Sequence, residues 1–148
     1  PIMFMLRKVR NHFFQMLAYN CPINSMRIWL HRKRGVHIGK NVMLGMHCIL
    51  DNAYPEYIYI EDYAALAGNV YMLAHSNPYQ HFSKILESYV APVVIREGAW
   101  IGVSSTLLAG SEIGEYSIVT AGSVVTGKMP DCCFLRGNPA RVIARYKL

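Results

Sequence analysis

Histidine, with an ordinary pKa of about 6.5, is the side chain best suited to take and return a proton near neutral pH. The sequence holds six. His12, His31 and His37 lie in a basic N-terminal segment and are expected to do no chemistry. His47, His75 and His81 come later, the last two beside Pro78, Tyr79, Phe82, Tyr89 and Pro92. Asp51 and Asn52 follow His47 closely; such groups can orient a hydroxyl or simply shape a turn. A zinc site needs three convergent ligands, and these histidines lack a paired spacing, so no metal is expected. Cys21, Cys48, Cys132 and Cys133 form no CxxC pair. The expectation is reduced thiols in a cytoplasmic protein. No cysteine or serine stands in a recognisable nucleophile motif, so a covalent intermediate is not expected.

What positions these residues is a repeat. From Ile95 to Val125 an aliphatic residue opens every sixth position: Ile95, Ile101, Leu107, Ile113, Val119 and Val125. Four residues after each opener sits a small one: Ala99, Ser105, Ser111, Ser117 and Ser123. A period of six fits no α-helix. It fits short strands broken by regular turns, with opener and small residue facing one narrow interior. The same frame begins earlier, with openers Ile38, Leu44, Leu50, Ile60, Leu66 and Met72. Cys48 falls in a small-residue slot. Twelve such units predict an all-β solenoid of about four triangular coils. Residues 54–59 interrupt one turn, and residues 75–92 exceed the frame and must protrude as a loop, which in compact domains is usually functional.

The net charge of +6 is unevenly spread. Eight basic residues and no acidic one precede Asp51; seven basic and nine acidic residues follow from there on. Leu6, Val9, Phe13 and Leu17 make an apolar stripe at helical spacing, and Pro22 ends that helix. Ser25 is a candidate cap for a second helix running to Gly35. This segment, 1–35, is expected to cap the open end of the solenoid. A basic amphipathic helix can also lie on an anionic membrane surface, so a membrane-peripheral location stays open. The solenoid then spans 36–130 with its loop at 75–92, and 131–148 forms a tail packed on it. No apolar run approaches a membrane span. The basic segment lacks the interleaved aromatics of a nucleic-acid stacking platform.

The repeat, the VVTGKMP turn and the RGNPARVI tail segment closely resemble the hexapeptide-repeat acyltransferases. Among them the likeness is greatest to sugar O-acetyltransferases, in which AHSNP-like text precedes an extended loop. The resemblance covers about 36–143. It implies a left-handed parallel β-helix, a homotrimer, and acetyl-CoA as co-substrate in the groove between neighbouring prisms. The coenzyme contacts it implies are Trp100, Ala121, Thr126 and Arg141, with backbone amides of the Ala-Gly-Ser turn. Gly127 stands where the family usually has lysine, which leaves Lys128 one position late for that contact.

His75 matches the family's catalytic histidine, the general base for a sugar or glycan hydroxyl attacking the thioester, with His81 as the alternative base. His47, Asp51, Asn52, Tyr79 and His81 are the expected acceptor contacts. Three other readings stay open. They are N-acetylation of an amino sugar on a nucleotide carrier, a metal enzyme similar to the γ-class carbonic anhydrases, and a non-catalytic solenoid.

Overall fold

The computed structural model describes residues 2–148. Two helices, α1 (Ile2–Asn20) and α2 (Asn24–Arg34), precede four coils. The first coil is β1 (His37–Ile38), β2 (Met43–Leu44) and β3 (Ile49–Leu50); the second is β4 (Ile58–Ile60), β5 (Ala65–Leu66) and β6 (Tyr71–Met72). An arm follows, formed by β7 (His75–Ser76) and β8 (Tyr89–Val90). The third coil is β9 (Val93–Ile95), β10 (Trp100–Ile101) and β11 (Thr106–Leu107), and the fourth β12 (Glu112–Ile113), β13 (Ile118–Val119) and β14 (Val124–Val125). The tail is β15 (Cys133–Gly137) and β16 (Ala140–Arg145).

Parallel pairing stacks these strands into three faces. The first face is β1-β4-β9-β12, the second β2-β5-β10-β13-β15 with β16 antiparallel on its edge, and the third β3-β6-β11-β14. The chain is a left-handed parallel β-helix. Its register is that of the sixfold frame. Ile38, Ile60, Ile95 and Ile113 pair in one column, and Leu50, Met72, Leu107 and Val125 in another. Leu44, Leu66, Ile101, Val119 and Leu135 form the third. Apart from half-buried Ile38 these side chains are buried and make the core.

The corners follow from the same geometry. Ala99, Ser105, Ser111, Ser117, Ser123 and Cys48 are buried where the chain turns. The third residue after each opener takes a left-handed backbone at Asn41, His47, Tyr63, Asn69, Ser104 and Tyr116, with glycine doing so at Gly98, Gly110 and Gly122. Gly102 serves a different need, because a Cβ there would lie 2.5 Å from the Ala121 nitrogen of the next coil.

A solenoid's first coil has an unpaired backbone edge, a liability that proteins usually cover. Here helix side chains cover it. Asn24 donates to Val42 O (3.0 Å) and accepts from Leu44 N (2.9 Å). Arg27 donates twice to Leu44 O (2.8 and 2.6 Å). Gln15 donates to Cys48 O (2.9 Å) and accepts from Leu50 N (3.2 Å). Arg34 donates to Leu50 O (2.6 Å) and Asp51 O (2.5 Å).

The N-terminal segment thus caps the prism, but through polar groups. Asn11, Gln15 and Ala18 are the buried side of α1, whereas Leu6, Val9, Phe13 and Leu17 face away from the core. Ser25 is not the cap of α2. Ile23 holds that position without a side-chain bond, and the helix ends at Gly35 in the left-handed conformation.

Candidate active site

Asp51 directly follows the opener Leu50 at the edge between the third and first faces. His75 leaves the same edge one coil further on, where the arm begins. Leu50 pairs with Met72, which brings the two residues together. The Asp51 carboxylate is fully buried and accepts four bonds. Oδ1 takes the amides of Ala53 (2.9 Å) and Tyr54 (3.0 Å); Oδ2 takes that of Ala74 (2.8 Å) and lies 2.5 Å from His75 Nδ1. A carboxylate has no proton to give, so Nδ1–H is the donor. That fixes the tautomer and leaves Nε2 as the basic nitrogen. Among the described residues Nε2 has no hydrogen-bond partner. The Tyr54 ring meets the imidazole edge-on with centroids 5.4 Å apart.

A second layer holds this pair. The Arg34 guanidinium reaches the Asp51 carbonyl from beneath and also bonds Gln15 Oε1. Burial lowers the Arg34 pKa to about 10, with the nearby Asp51 charge opposing that shift. His31 lies 3.5 Å from Arg34. Burial, then the charges of Arg34 and Arg27, lower its pKa to about 3, so it is a neutral, structural histidine.

The half-exposed His75 ring lines a cavity of about 380 Å³ with Lys8, Ala53, Tyr54, Ser76, Asn77, Ser88, Tyr89 and Val90. The arm forms its wall, pairing His75 with Val90 and Ser76 with Tyr89, while Ser88 donates to Asn77 (2.8 Å). A larger depression of about 670 Å³ on the first face includes Arg32, His37, Tyr59 and Arg96. There Arg96 is held by Glu61 and Glu112 (2.7 Å each), and His37 is stacked on Tyr59. No histidine–carboxylate pair is found in that depression.

Several expected contacts lie elsewhere. Asp51 is buried beneath His75 and does not face an acceptor. His47 occupies a left-handed corner and packs on Tyr19 of α1, centroids 4.9 Å apart. Asn52 turns toward α1, its carbonyl accepting from Asn11 (3.4 Å). Tyr79 and His81 stack on each other in the arm, away from the His75 cavity. Within the described residues no three His, Cys, Asp or Glu side chains come together as a metal site. Cys48 is buried and its thiol pKa is pushed up by that burial, the opposite of an activated nucleophile.

The positions implied for a coenzyme are spread over the prism. Thr126 shares the His75 edge, since Leu73 N donates to Leu107 O and Leu108 N to Val125 O in successive coils. Exposed Lys128 is 3.6 Å from Glu112. Trp100 is half-exposed on the second face, Arg141 lies on β16 at the edge of that sheet with β13 and β15 between them, and Ala121 is at the corner between the second and third faces. The amides of Gly122 and Ser123 are already donated to Val103 O and Thr120 O, so that turn does not present them to a ligand.

Sequence reasoning missed the Asp51–His75 pair and the contributions of Lys8, Tyr54, Asn77, Ser88 and Tyr89 to the cavity. The available signal was Asp51 itself. It stands right after an opener, where the other three coils have Leu73, Leu108 and Thr126.

Residues 92–127 match the family model described as bacterial transferase hexapeptide (six repeats). The chain is 30% identical over 139 residues to the putative acetyltransferase YvoF of Bacillus subtilis, covering 93% of this chain and 77% of that protein. The chain belongs to the hexapeptide-repeat acyltransferase family. It is also 32% identical over 109 residues to the galactoside O-acetyltransferase of Escherichia coli. That match covers 73% of this chain and only 53% of that enzyme. Among solved structures, a Vibrio cholerae hexapeptide-repeat acetyltransferase complexed with acetyl coenzyme A superposes with a TM-score of 0.76 at 20% identity, over 97% of this chain and 88% of that one. In this chain the coils keep the sixfold frame, and the arm that begins at His75 departs from it.

Proposed function

We propose that this acyltransferase transfers acetyl from acetyl-CoA to a hydroxyl of a sugar or glycan precursor. The observation that carries the chemistry is His75, held by Asp51 through Nδ1 with Nε2 free at the cavity. Nε2 takes the hydroxyl proton as the oxygen attacks the thioester carbonyl carbon. The tetrahedral intermediate collapses, the carbon–sulfur bond breaks, and the imidazolium returns the proton to the departing thiolate. Acetyl-CoA as donor is supported by the coenzyme in the similar Vibrio structure, and a sugar acceptor by the galactoside enzyme's name.

A homotrimer completes the reading. His75 and Thr126 lie on one edge of the prism, while Trp100 and Arg141 lie on the second face. Placing the edge of one copy against the second face of another gathers both sets around one coenzyme, and cyclic symmetry repeats the site. The test is acetyl-CoA incubated with a panel of sugars and nucleotide sugars, read by mass spectrometry. An acetyl gain on a hydroxyl acceptor supports the proposal. A gain confined to amine-bearing acceptors replaces it with N-acetylation. Light scattering checks the trimer, and a monomer that still turns over refutes the shared site.

A further inference from the structure

The geometry points to α1 and α2 as a docking face for an anionic lipid bilayer. On α1 the residues that meet the prism are Asn11, Gln15 and Ala18. Leu6, Val9, Phe13, Met16 and Leu17 occupy the opposite side and are all exposed, Phe13 by 56% and Val9 by 67%. Half-exposed Trp29 of α2 joins them, its neighbour Phe14 set edge-on at 6.5 Å. The usual orientation of an amphipathic helix is therefore inverted, with polar groups inward and a continuous apolar stripe outward.

The charges beside the stripe identify what covers it. Lys8 and Arg10 border it on α1, and Lys33 lies 5.5 Å over the Trp29 ring on α2. No acidic residue precedes Asp51, and among the described residues only Arg7 of this segment meets a carboxylate, Glu56 at 3.3 Å. A second copy laid on this face would set like charges against like with no carboxylate to relieve them. An anionic surface complements both the rim and the stripe, the combination that holds interfacial helices. No helix among the described residues is long and apolar enough to cross a membrane, so the contact is peripheral. Lys8 also lines the His75 cavity, which places docking face and cavity on one helix.

Co-sedimentation of the chain with phosphatidylcholine vesicles, with and without phosphatidylglycerol, tests this. The expected result is binding that needs phosphatidylglycerol and weakens as salt is raised. Val9→Gln with Phe13→Gln, both at exposed positions, should lower partitioning about tenfold or more while the thermal melt stays put. Arg10→Gln with Lys33→Gln should lower it roughly 25-fold, each basic residue being worth about fivefold near an anionic surface. Equal affinity for both vesicle types overturns the inference, as does unchanged binding by the Val9/Phe13 variant. Absence of vesicle binding, with a smaller oligomer in that variant by light scattering, overturns it in favour of a contact between copies.

Discussion

His75 Nδ1 lies 2.5 Å from an Asp51 oxygen whose carboxylate already accepts three backbone amides. Those amides leave the carboxylate no rotational freedom, so the imidazole is aimed by the backbone of two adjacent coils. Removing His75 should therefore remove the base and little else. His75→Ala is expected to lower kcat by roughly 10²–10⁴-fold, the usual range for loss of a general base. The KM for acetyl-CoA should stay within about threefold, because a base acts in the transition state more than in ground-state binding. Steady-state kinetics checks both; a near-normal kcat would remove the role from His75, and only a collapse in the His81→Ala protein beside it would pass the role to His81.

Asp51→Asn tests the positioning role in a protein first checked for folding. The amide oxygen can still accept from Ala53 and Tyr54, but the NH2 group now faces the Ala74 N–H, losing that bond, and no longer demands a proton on His75 Nδ1. In hydrolases that use a comparable pair, the same change costs about 10⁴ in kcat through the wrong tautomer. A fall of about 10²-fold or more is expected here, with the acceptor KM little changed. Full activity in a folded Asp51→Asn protein would show that the carboxylate only shapes its turn.

His31 predicts a pH dependence of stability. The folded chain holds its pKa at about 3, whereas the unfolded chain titrates near the ordinary 6.5. As pH falls below that unfolded value the unfolded state gains a proton that the folded state refuses. Stability is thus complete above about pH 6.5 and is lost progressively down to about pH 3, by about 5 kcal/mol in all. Urea denaturation at pH 7 and near pH 4.5 should show about 3 kcal/mol of loss from this group alone. His31→Gln should remove that part of the slope; an unchanged slope would show that carboxylates account for it.

The arm should be separable from the prism. Residues 79–88 are exposed and contribute nothing to the buried core. Replacing them with a short glycine-serine linker is expected to leave the melting temperature within a few degrees and to raise the acceptor KM. Collapse of the melt would mean that the prism depends on the arm for stability.

Gly102 tests the coil contact. Gly102→Ala places a methyl group 2.5 Å from the Ala121 nitrogen, against backbone that cannot swing aside. Overpacking of this kind costs about 1–3 kcal/mol. The midpoint of chemical denaturation should fall accordingly, and an unmoved midpoint would show that the coils slide apart at little cost.

The sixfold frame, its inward columns, the small corner residues and the protruding segment were all legible in the sequence, because each coil repeats the same steric demand. The His47 slot takes a left-handed backbone in coil after coil, so its place also answers a requirement of the corner. Two features were illegible. The stripe on α1 shows that one side is apolar, and nothing in its spacing says that the opposite side meets the prism. The Asp51–His75 contact depends on which strands stack across the interruption at residues 54–59, and only Leu50 paired with Met72 supplies that.

The shared register of the coils also makes the prism a ruler. Neighbouring strands stand about 4.8 Å apart, so the level of Thr126 lies roughly 10 Å along the edge from that of Leu73, just before His75. Deleting one eighteen-residue coil would leave the polar cap and the β15–β16 closure in place, yet shorten that distance by one rung. The edge that carries His75 and Thr126 can therefore be lengthened or shortened in whole rungs, and in no smaller increment, without rebuilding either end.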